Sequence, residues 1–349
     1  MTPNFPATPS PDRYRRQIRF APLGAAGQQR LAAGRALICG CGALGSAIAG
    51  WLVRAGVGAV RIVDRDFVEL SNLHRQTLFD EQDAAAGLPK AIAAAEKLRQ
   101  INSTVAIEPI VADLGPENIE AFCKGVDVML DGTDNFETRL LMNDAAVKRG
   151  MAWIYGGCVG SEAQTMTILP GETACLRCLL DTCPMPGSVP TCDSAGILGP
   201  VAGLVASLEA AEAMKILSGN RQAVRPGLMV VDAWQNQWRR VNVARLCGPP
   251  GCGACVRGEF PWLAGQAGSR TAVLCGRNAV QLSRPGPAVA LEQLAQRLQG
   301  IGRLTRNPFL VRLEVAPYEI TLFADGRAII HGTDDPATAR TVYAKYVGN

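Results

Sequence analysis

The sequence predicts an α/β protein with a Rossmann-like, doubly wound and mostly parallel sheet, an added antiparallel portion and a small C-terminal α/β domain. Short apolar runs alternate with helix-like runs from residue 35 to residue 157, which is the pattern of a parallel sheet covered on both faces. Beyond residue 160 the alternation gives way to a predicted antiparallel strand, a loop and a long helix. A Gly-rich break at residues 265–269 then separates the C-terminal pattern from the rest.

Composition excludes several function classes. The 349 residues carry a net charge of +4, which is too mild to argue for a nucleic-acid or membrane partner. Two apolar stretches, 36–60 and 195–208, are interpreted as core elements: the first contains six glycines, and the second is shorter than the roughly 20 residues that cross a bilayer. Residues 1–12 lack the apolar centre of a signal peptide, so we expect a disordered lead and a cytoplasmic location.

The parallel part begins with a strand at residues 35–39, a helix over 43–56 and a strand at 59–63 that leads into Asp64. The predicted alternation continues with a helix near 90–100, a strand near 104–111, a helix near 116–123, a strand at 126–131, a helix at 136–149 and a strand at 152–157. Ligands of such sheets bind at the carboxyl ends of the strands, so the functional residues are expected there.

The remaining chain is predicted to hold an antiparallel strand at 162–170, a Pro- and Gly-rich loop at 181–193, a buried helix starting near Ala195 and a hairpin over 228–244. The C-terminal part is predicted to hold a helix near 290–299, a meander over 308–332 and a closing helix from 336. We therefore expect a main domain at 13–260 and a small domain of unknown role at 266–349.

The first candidate site is the segment GCGALG, in which Gly40, Gly42 and Gly45 have the spacing G-x-G-x-x-G between a strand and a helix. Glycines let the backbone turn sharply and approach a phosphate, and the N-terminus of the following helix attracts negative charge. Asp64 ends the next strand, where it can accept hydrogen bonds from ribose hydroxyls. A plain strand-to-helix turn is the alternative, and the motif alone does not separate NAD from ATP.

The second candidate site is the segment DRDFVELSNLHRQ, which a dehydrogenase leaves unexplained. It brings Asp66, Asn72, Arg75 and Gln76 into one connection. Carboxylates are suited to Mg²⁺, and an arginine can hold a phosphate through two hydrogen bonds. A solvated polar loop is the alternative.

Two further charged residues stand at predicted element ends. Lys90 begins a helix, where it can reach a phosphate or simply be exposed. Asp134 follows a strand that ends at Asp131, and it is a candidate Mg²⁺ ligand that would share a crevice with Asp66. Capping of the next helix is the alternative role of Asp134.

The chain contains 12 cysteines, and without an export signal their spacing matters more than their number. Cys175 and Cys178 form one C-x-x-C pair, and Cys252 and Cys255 form another. Two such pairs predict zinc knuckles, that is, a closed tetrahedral and therefore structural zinc site. Four unrelated thiols are the alternative.

Together these segments resemble a known family. The segments RYRRQ, GCGALG, DRDFVELSNLHRQ, LPKA, DGTDNFETR, CLRC, TCDSAG and CGAC occur in the same order in the bacterial sulfur-carrier-protein adenylyltransferases, the ThiF/MoeB/HesA relatives of ubiquitin-activating E1 enzymes. The resemblance covers residues 13 to about 256 and is closest to the thiamine-pathway ThiF type. His74 stands where many members have Gln, and Ala43 where many have Gly, and neither alters a charge.

The resemblance implies a nucleotide site. Its glycines and Asp64 would hold ATP, and Asn72, Arg75 and Lys90 would contact the phosphates. Asp66 and Gln76 are counted with these nucleotide-binding residues, and Asp134 would bind Mg²⁺.

The resemblance also implies two residues outside this nucleotide site. Arg16 matches an arginine that reaches the neighbouring subunit's triphosphate, which implies a homodimer. Cys192 matches a cysteine that in part of the family attacks the adenylate or joins the carrier, and the helix expected to follow it would lower its thiol pKa. Cys183 is the nearby competitor.

The implied activity is ATP-dependent adenylation of the C-terminal glycine carboxylate of a ubiquitin-like sulfur carrier that ends in Gly-Gly, with release of pyrophosphate, for thiamine thiazole synthesis. The molybdopterin synthase small subunit or another thio-metabolite carrier is the alternative substrate, and a cysteine desulfurase or sulfurtransferase is a candidate sulfur donor. An NAD-dependent oxidoreductase and a non-catalytic zinc-stabilised scaffold are the alternatives from other classes. Neither needs the acids and basic groups of the second segment.

Overall fold

The computed structural model describes residues 12–184, 190, 192–246, 251–267, 272–274, 278–282 and 289–347. The chain divides into two compact units, which are described separately. The first unit comprises the chain up to Ala85 together with Pro89–Pro184 and Ile197–Ala267, and the second comprises Ala86–Leu88, Met185–Gly196 and the chain from Gly268. Among the helices of the described residues, none has the length and apolar character needed to span a membrane.

The first unit is built on an eight-stranded sheet. Its strands are β1 (Arg35–Cys39), β2 (Ala59–Asp64), β3 (Ala106–Val111), β4 (Val128–Asp131), β5 (Ala152–Val159), β6 (Glu162–Ile168), β7 (Leu228–Asp232) and β8 (Gln237–Val241). They lie in the order β3-β2-β1-β4-β5-β6-β7-β8, with β1 to β5 parallel and β6, β7 and β8 added antiparallel. The order reverses between β1 and β4, which is the switch point where ligands bind in sheets of this kind.

The helices described up to residue 217 are α1 (Arg15–Ile18), α2 (Gly24–Ala33), α3 (Ala43–Ala55), α4 (Glu81–Ala86), α5 (Lys90–Ile101), α6 (Ile119–Phe122), α7 (Phe136–Arg149), α8 (Leu176–Leu179), α9 (Cys192–Ala195) and α10 (Gly199–Leu217). The apolar run of β1 is buried from Ala36 to Cys39, as expected for a central strand covered on both faces. α3 and α7 each end at a glycine with positive φ, Gly56 and Gly150, because glycine adopts this helix-ending conformation without steric cost. The predicted mostly parallel sheet with an antiparallel addition is confirmed.

The long helix differs from its prediction. It begins at Gly199, not near Ala195, because Gly196 has a φ of +74°, a conformation that does not occur within an α-helix. The N–H of Leu198 donates to the carbonyl oxygen of Gly160, at 2.9 Å, so the residues ahead of α10 are extended. Cys192 therefore belongs to the separate α9, and the expectation that it directly precedes the long helix is wrong.

The second unit carries a six-stranded antiparallel sheet. Its strands are β9 (Ala272–Leu274), β10 (Ala279–Leu282), β11 (Arg303–Arg306), β12 (Leu310–Val315), β13 (Tyr318–Phe323) and β14 (Ala328–His331), in the order β11-β12-β13-β14-β10-β9. Two helices, α11 (Leu291–Leu298) and α12 (Pro336–Tyr346), share a core with this sheet. The predicted helix, meander and closing helix are present as α11, β12 to β14 and α12.

Candidate active site

The glycine loop joins β1 to α3 at the carboxyl end of the central strand. Gly40 has a φ of +87°, a conformation that favours glycine, and its N–H donates to the carbonyl oxygen of Val63 at 2.7 Å. A Cβ at Gly45 would collide with the carbonyl oxygen of Gly40, whereas a Cβ at Gly42 would meet no atom closer than 3.9 Å. Gly40 and Gly45 therefore fix the shape of the loop, and Gly42 leaves open space at its surface.

Asp64 ties this loop to the end of β2. One of its carboxylate oxygens accepts the N–H of Cys41 at 2.5 Å, and the other accepts the N–H of Asp66 at 2.6 Å. Burial raises the pKa of Asp64 above its ordinary value, although the positive charge of Lys90 opposes this shift. The carboxylate stands at the strand end where the sequence places it, adjacent to the glycine loop.

Lys90 is buried, with 3% of its surface exposed, so it is not a simple surface lysine. Its ammonium group lies 3.1 Å from the carboxylate of Asp66, and its backbone N–H donates to the carbonyl oxygen of Asp66 at 2.9 Å. The start of α5 is thereby joined to the residues that follow β2. A cation that water cannot reach is screened little, so its charge acts strongly on a nearby anion.

Arg65 is a charged residue of this region that the sequence interpretation missed. Its guanidinium lies 3.1 Å from the carboxylate of Asp113 and 3.8 Å from that of Asp66. Burial disfavours the charged form, but the carboxylates of Asp113, Asp66 and Asp134 outweigh burial and raise the pKa of Arg65. Its position between two acids in D-R-D was the signal in the sequence, because two flanking carboxylates favour a fixed cation.

The turn after β2 presents an amide pair and a guanidinium. Asn72 and Gln76 are buried, and the side-chain amide of Gln76 donates to the Asn72 side-chain oxygen at 3.1 Å. The half-buried Arg75 donates to the carbonyl oxygen of Ser71 at 3.2 Å. A Cβ at Gly199 would lie 2.7 Å from the carbonyl oxygen of His74, so the N-terminus of α10 packs on this turn.

Asp134 is exposed and forms no hydrogen bond or ion pair with another described residue. The capping role falls to Asn135, whose side-chain oxygen accepts the N–H groups of Glu137 at 2.8 Å and Thr138 at 3.3 Å. The capping alternative for Asp134 is therefore wrong. An exposed carboxylate on the turn whose Gly132 and Thr133 lie against Gly40 of the glycine loop fits a Mg²⁺ ion that keeps most of its ligands as water and phosphate oxygens.

Arg16 lies on α1 and is exposed, without a hydrogen bond or ion pair to another described residue. The helix itself is well anchored. The hydroxyl of Tyr14 accepts the side-chain amide of Asn102 at 2.8 Å, and the side chain of Gln17 donates to the carbonyl oxygen of Ala55 at 2.8 Å. Arg16 is thus an exposed cation on a helix whose position is fixed by its neighbours.

The two C-x-x-C pairs meet in the structure. The sulfur of Cys175 lies 3.9 Å from that of Cys178 and 3.6 Å from that of Cys252, and Cys178 lies 3.4 Å from Cys255. All four sulfurs are within 4.8 Å of one another. Four ligands at about 2.3 Å around a tetrahedral zinc ion stand about 3.8 Å apart, so the donor set fits zinc.

Neighbouring groups favour a thiolate at Cys175, whereas the hydrogen bond with Cys175 raises the pKa of Cys178 and burial raises that of Cys255. Hydrogen bonds from Cys178 and Asn143 lower the pKa of Cys175 to about 5, against the effect of burial. The alternative of four unrelated thiols does not explain why they converge.

Three of the remaining cysteines have the burial of core packing residues. Cys39, Cys41 and Cys123 are buried, and burial raises the pKa of each. Burial and the nearby Glu137 also raise the pKa of Cys183, which argues against Cys183 as a nucleophile. The side chain of Cys192 lies outside the described residues, as do Cys247 and Cys275.

Comparison with known proteins places this geometry in a family. Over 338 residues the chain is 46% identical to the sulfur carrier protein ThiS adenylyltransferase of Bacillus subtilis (strain 168), covering 96% of this chain and 99% of the relative. It is 39% identical over 247 residues to a sulfur carrier protein adenylyltransferase of Thermus thermophilus, covering 69% of this chain and 90% of that one.

A structure of Escherichia coli MccB with MccA-N7isoASN superimposes with a TM-score of 0.60 at 22% identity, covering 71% of this chain and 76% of MccB, a likeness of fold alone. Residues 14–250 match the ThiF family. The family match covers more than half of the chain and agrees with the strand-end site just described, so this protein belongs to the ThiF family.

Proposed function

We propose that this protein uses ATP to adenylate the C-terminal glycine carboxylate of a ubiquitin-like sulfur carrier protein, with release of pyrophosphate. The observation that carries the proposal is the exposed Asp134 beside the glycine loop, at the same sheet edge as the buried Lys90 and the turn with Arg75. A hydride transfer has no use for these charges. The similarity to the ThiS adenylyltransferase of Bacillus subtilis supports the thiamine carrier as the substrate.

The chemistry requires positive charge and alignment. An oxygen of the carrier carboxylate forms a bond to the α-phosphorus of ATP, and the bond from that phosphorus to the pyrophosphate oxygen breaks. The nucleophile is weak and approaches a group of its own sign, so the barrier falls only if the protein orients both and neutralises charge. The product is an acyl-adenylate.

Each part of the site has a role in this proposal. The glycine loop and the N-terminus of α3 hold phosphates, and Asp64 accepts ribose hydroxyls. Asn72, Arg75 and Gln76 contact phosphate from the turn after β2. Lys90, paired with Asp66, adds positive charge at the start of α5. Asp134 would hold Mg²⁺, which would supply further positive charge to the triphosphate.

The proposal extends to partners and assembly. Arg16 is exposed and has no partner in its own described chain, which supports a homodimer in which it serves the other subunit's ATP. We assign the reaction to a domain at residues 13–260, and the domain at 266–349 has an unknown role. Cys192 is proposed to form the covalent bond with the carrier or its adenylate. Zinc at the four cysteines is structural, a cysteine desulfurase or sulfurtransferase supplies the sulfur, and the reaction takes place in the cytoplasm.

ATP–pyrophosphate exchange with Gly-Gly carriers from the same genome tests the proposal. We expect exchange with the thiamine carrier and none when its final glycine is deleted. Exchange with the molybdopterin carrier alone would change the pathway and keep the reaction. Asp134→Ala is expected to abolish exchange while the zinc content stays at about one ion per chain. No exchange with any carrier, together with NADH binding, would overturn the proposal.

A further inference from the structure

Arg139, Asp131 and Thr133 form a hydrogen-bonded cluster next to the candidate site. The proposed chemistry assigns no role to this cluster. Arg139, on α7, is 6% exposed, and its Nε donates to the carboxylate of Asp131, which is fully buried, at 2.8 Å. Its Nη2 donates to the carbonyl oxygen of Thr133 at 2.7 Å and to that of Gly156 at 3.0 Å. The guanidinium thus joins the end of β4, the turn after it and the neighbouring strand β5.

Asp131 holds the same turn from the other side. Its second carboxylate oxygen accepts the backbone N–H of Thr133 at 2.9 Å and the hydroxyl of Thr133 at 2.7 Å. Thr133 is therefore fixed through its N–H, its hydroxyl and its carbonyl oxygen. Asp134 follows it directly, and Asn135 is fixed as the cap of α7. The neighbours on both sides of Asp134 are held, while its own carboxylate is left open.

The turn also supports the glycine loop. The N–H of Gly132 donates to the carbonyl oxygen of Cys39 at 2.7 Å. A Cβ at Gly132 would collide with the carbonyl oxygen of Gly40 and lie 2.9 Å from the Cα of Gly45. Any displacement of residues 132–134 would therefore move the phosphate loop as well as Asp134.

Stability alone is a weak explanation of this cluster. A buried ion pair costs much desolvation and is often no more stabilising than apolar residues of the same volume. Two of the three hydrogen bonds of the Arg139 guanidinium go to backbone carbonyls beside the site, where geometry matters more than packing. A buried pair of similar composition exists elsewhere for comparison: Arg177 lies 3.2 Å from the fully buried carboxylate of Asp144, away from this turn.

We propose that Arg139 is a positioning residue for metal and nucleotide binding: through Asp131 and Thr133 it sets the place of Asp134 relative to the glycine loop. This inference rests on the proposed function, in which Asp134 binds the Mg²⁺ of MgATP. A lysine at position 139 can keep the charge pair with Asp131, but it lacks the planar fork that reaches the two carbonyl oxygens. Arg139→Lys therefore separates positioning from charge.

Calorimetric titration with ATP, with and without Mg²⁺, tests the inference without any carrier. For the wild type we expect Mg²⁺ to tighten ATP binding. The ATP affinity of Arg139→Lys without Mg²⁺ should stay within about 3-fold of the wild-type value. The factor by which Mg²⁺ tightens ATP binding should be at least about 10-fold smaller than in the wild type, and the same is expected of Asp134→Ala. Arg177→Lys, the matched control, should lose thermal stability and keep the full gain.

The outcomes are separable. An Arg139→Lys protein that melts earlier but keeps the whole gain from Mg²⁺ would show a structural role only and overturn the inference, and so would a wild type without such a gain. If Arg139→Lys does not fold, Thr133→Ala replaces it in the test. This substitution removes the hydrogen bond from the Thr133 hydroxyl to Asp131 at a half-buried position. An unchanged effect of Mg²⁺ on the ATP affinity of Thr133→Ala would contradict the inference. Failure of the proposed function shows differently, as absent pyrophosphate exchange in a wild type whose ATP binding responds to Mg²⁺.

Discussion

Glu209, on the long helix α10, carries a carboxyl group that is fully buried and receives no hydrogen bond of good geometry. The Glu209 carboxyl group packs against β5, because a Cβ at Gly156 would collide with that carboxyl group. Burial raises its pKa well above the ordinary value, the nearby Asp131 raises it further, and Arg139 lowers it. We infer that the folded protein holds the Glu209 proton to a higher pH than the unfolded chain does.

This inference predicts a pH-dependent stability. The unfolded chain ionises Glu209 near pH 4.5, whereas the folded protein ionises it only at a higher pH. Each pH unit above that value therefore costs the folded state about 1.4 kcal/mol until the raised pKa is reached. Glu209→Gln removes this cost. We expect its advantage over the wild type in urea unfolding to be larger at pH 8 than at pH 5.

Glu212→Gln is the control for this prediction. Glu212 lies one turn further along α10, is partly exposed and pairs with Lys215. Its substitution should change stability by less than about 1 kcal/mol, and equally at both pH values. A Glu209→Gln effect that is the same at pH 5 and pH 8 would mean that the buried carboxyl does not carry the pH dependence.

At the scale of elements, the strand-to-helix turn of the glycine loop separates two roles of glycine. Gly45→Ala forces a methyl group into the carbonyl oxygen of Gly40, so we expect a loss of about 1–3 kcal/mol in unfolding free energy. Gly42→Ala meets no close atom and should leave the melting temperature within about 2 °C. Its methyl group would occupy the space proposed for phosphate, so ATP affinity should fall at least about 10-fold in calorimetry. Normal ATP affinity of Gly42→Ala would contradict the phosphate assignment.

The two C-x-x-C pairs connect α8 to residues 252–255, two segments that are far apart in the sequence. Cys252→Ser should lower the zinc content from about one ion per chain to near zero, measured by mass spectrometry, because a closed site needs all four thiolates. We expect the melting temperature to fall by at least about 5 °C. Cys183→Ser is the control, since Cys183 packs on the same core without joining the cluster, and it should keep its zinc.

The sequence predicted elements better than it predicted contacts between them. The strands β1, β2 and β4 follow from buried apolar runs, so the placement of three motifs at one sheet edge was predictable. The choice between Asp134 and Asn135 as the cap was not, because both residue types cap helices well. The start of α10 was missed because apolar periodicity continues across Gly196.

The contacts of Arg139 were also out of reach. They depend on β5 lying beside β4, and adjacency in a sheet is a tertiary fact that spacing does not state. The same holds for Lys90, whose burial follows from the docking of α5 on the residues after β2. Motif spacing therefore selected the candidate functional residues, and only the fold shows which residues hold them in place.

At the scale of the whole molecule, the proposed site is incomplete within one chain. Asp134 and Lys90 belong to the strand-end site, whereas the exposed Arg16 on α1 is proposed to act on the other subunit's ATP. Arg16→Ala and Asp134→Ala should each abolish pyrophosphate exchange as homodimers. The two inactive proteins should complement each other, because a mixed dimer contains one site with an intact Asp134 and an Arg16 supplied from across the interface.

The exchange activity that mixed dimers recover can be calculated. A purified mixed dimer should recover about half of the wild-type exchange activity, and an equal mixture after random exchange of subunits about a quarter, since half of its dimers are mixed. If Arg16 acted within its own chain, both sites of the mixed dimer would lack one residue and no activity would return. A mixture of Arg16→Ala with itself measures the background. Activity near that background in a verified mixed dimer would remove Arg16 from the neighbouring site and, with it, the reason to expect a dimer as the active form.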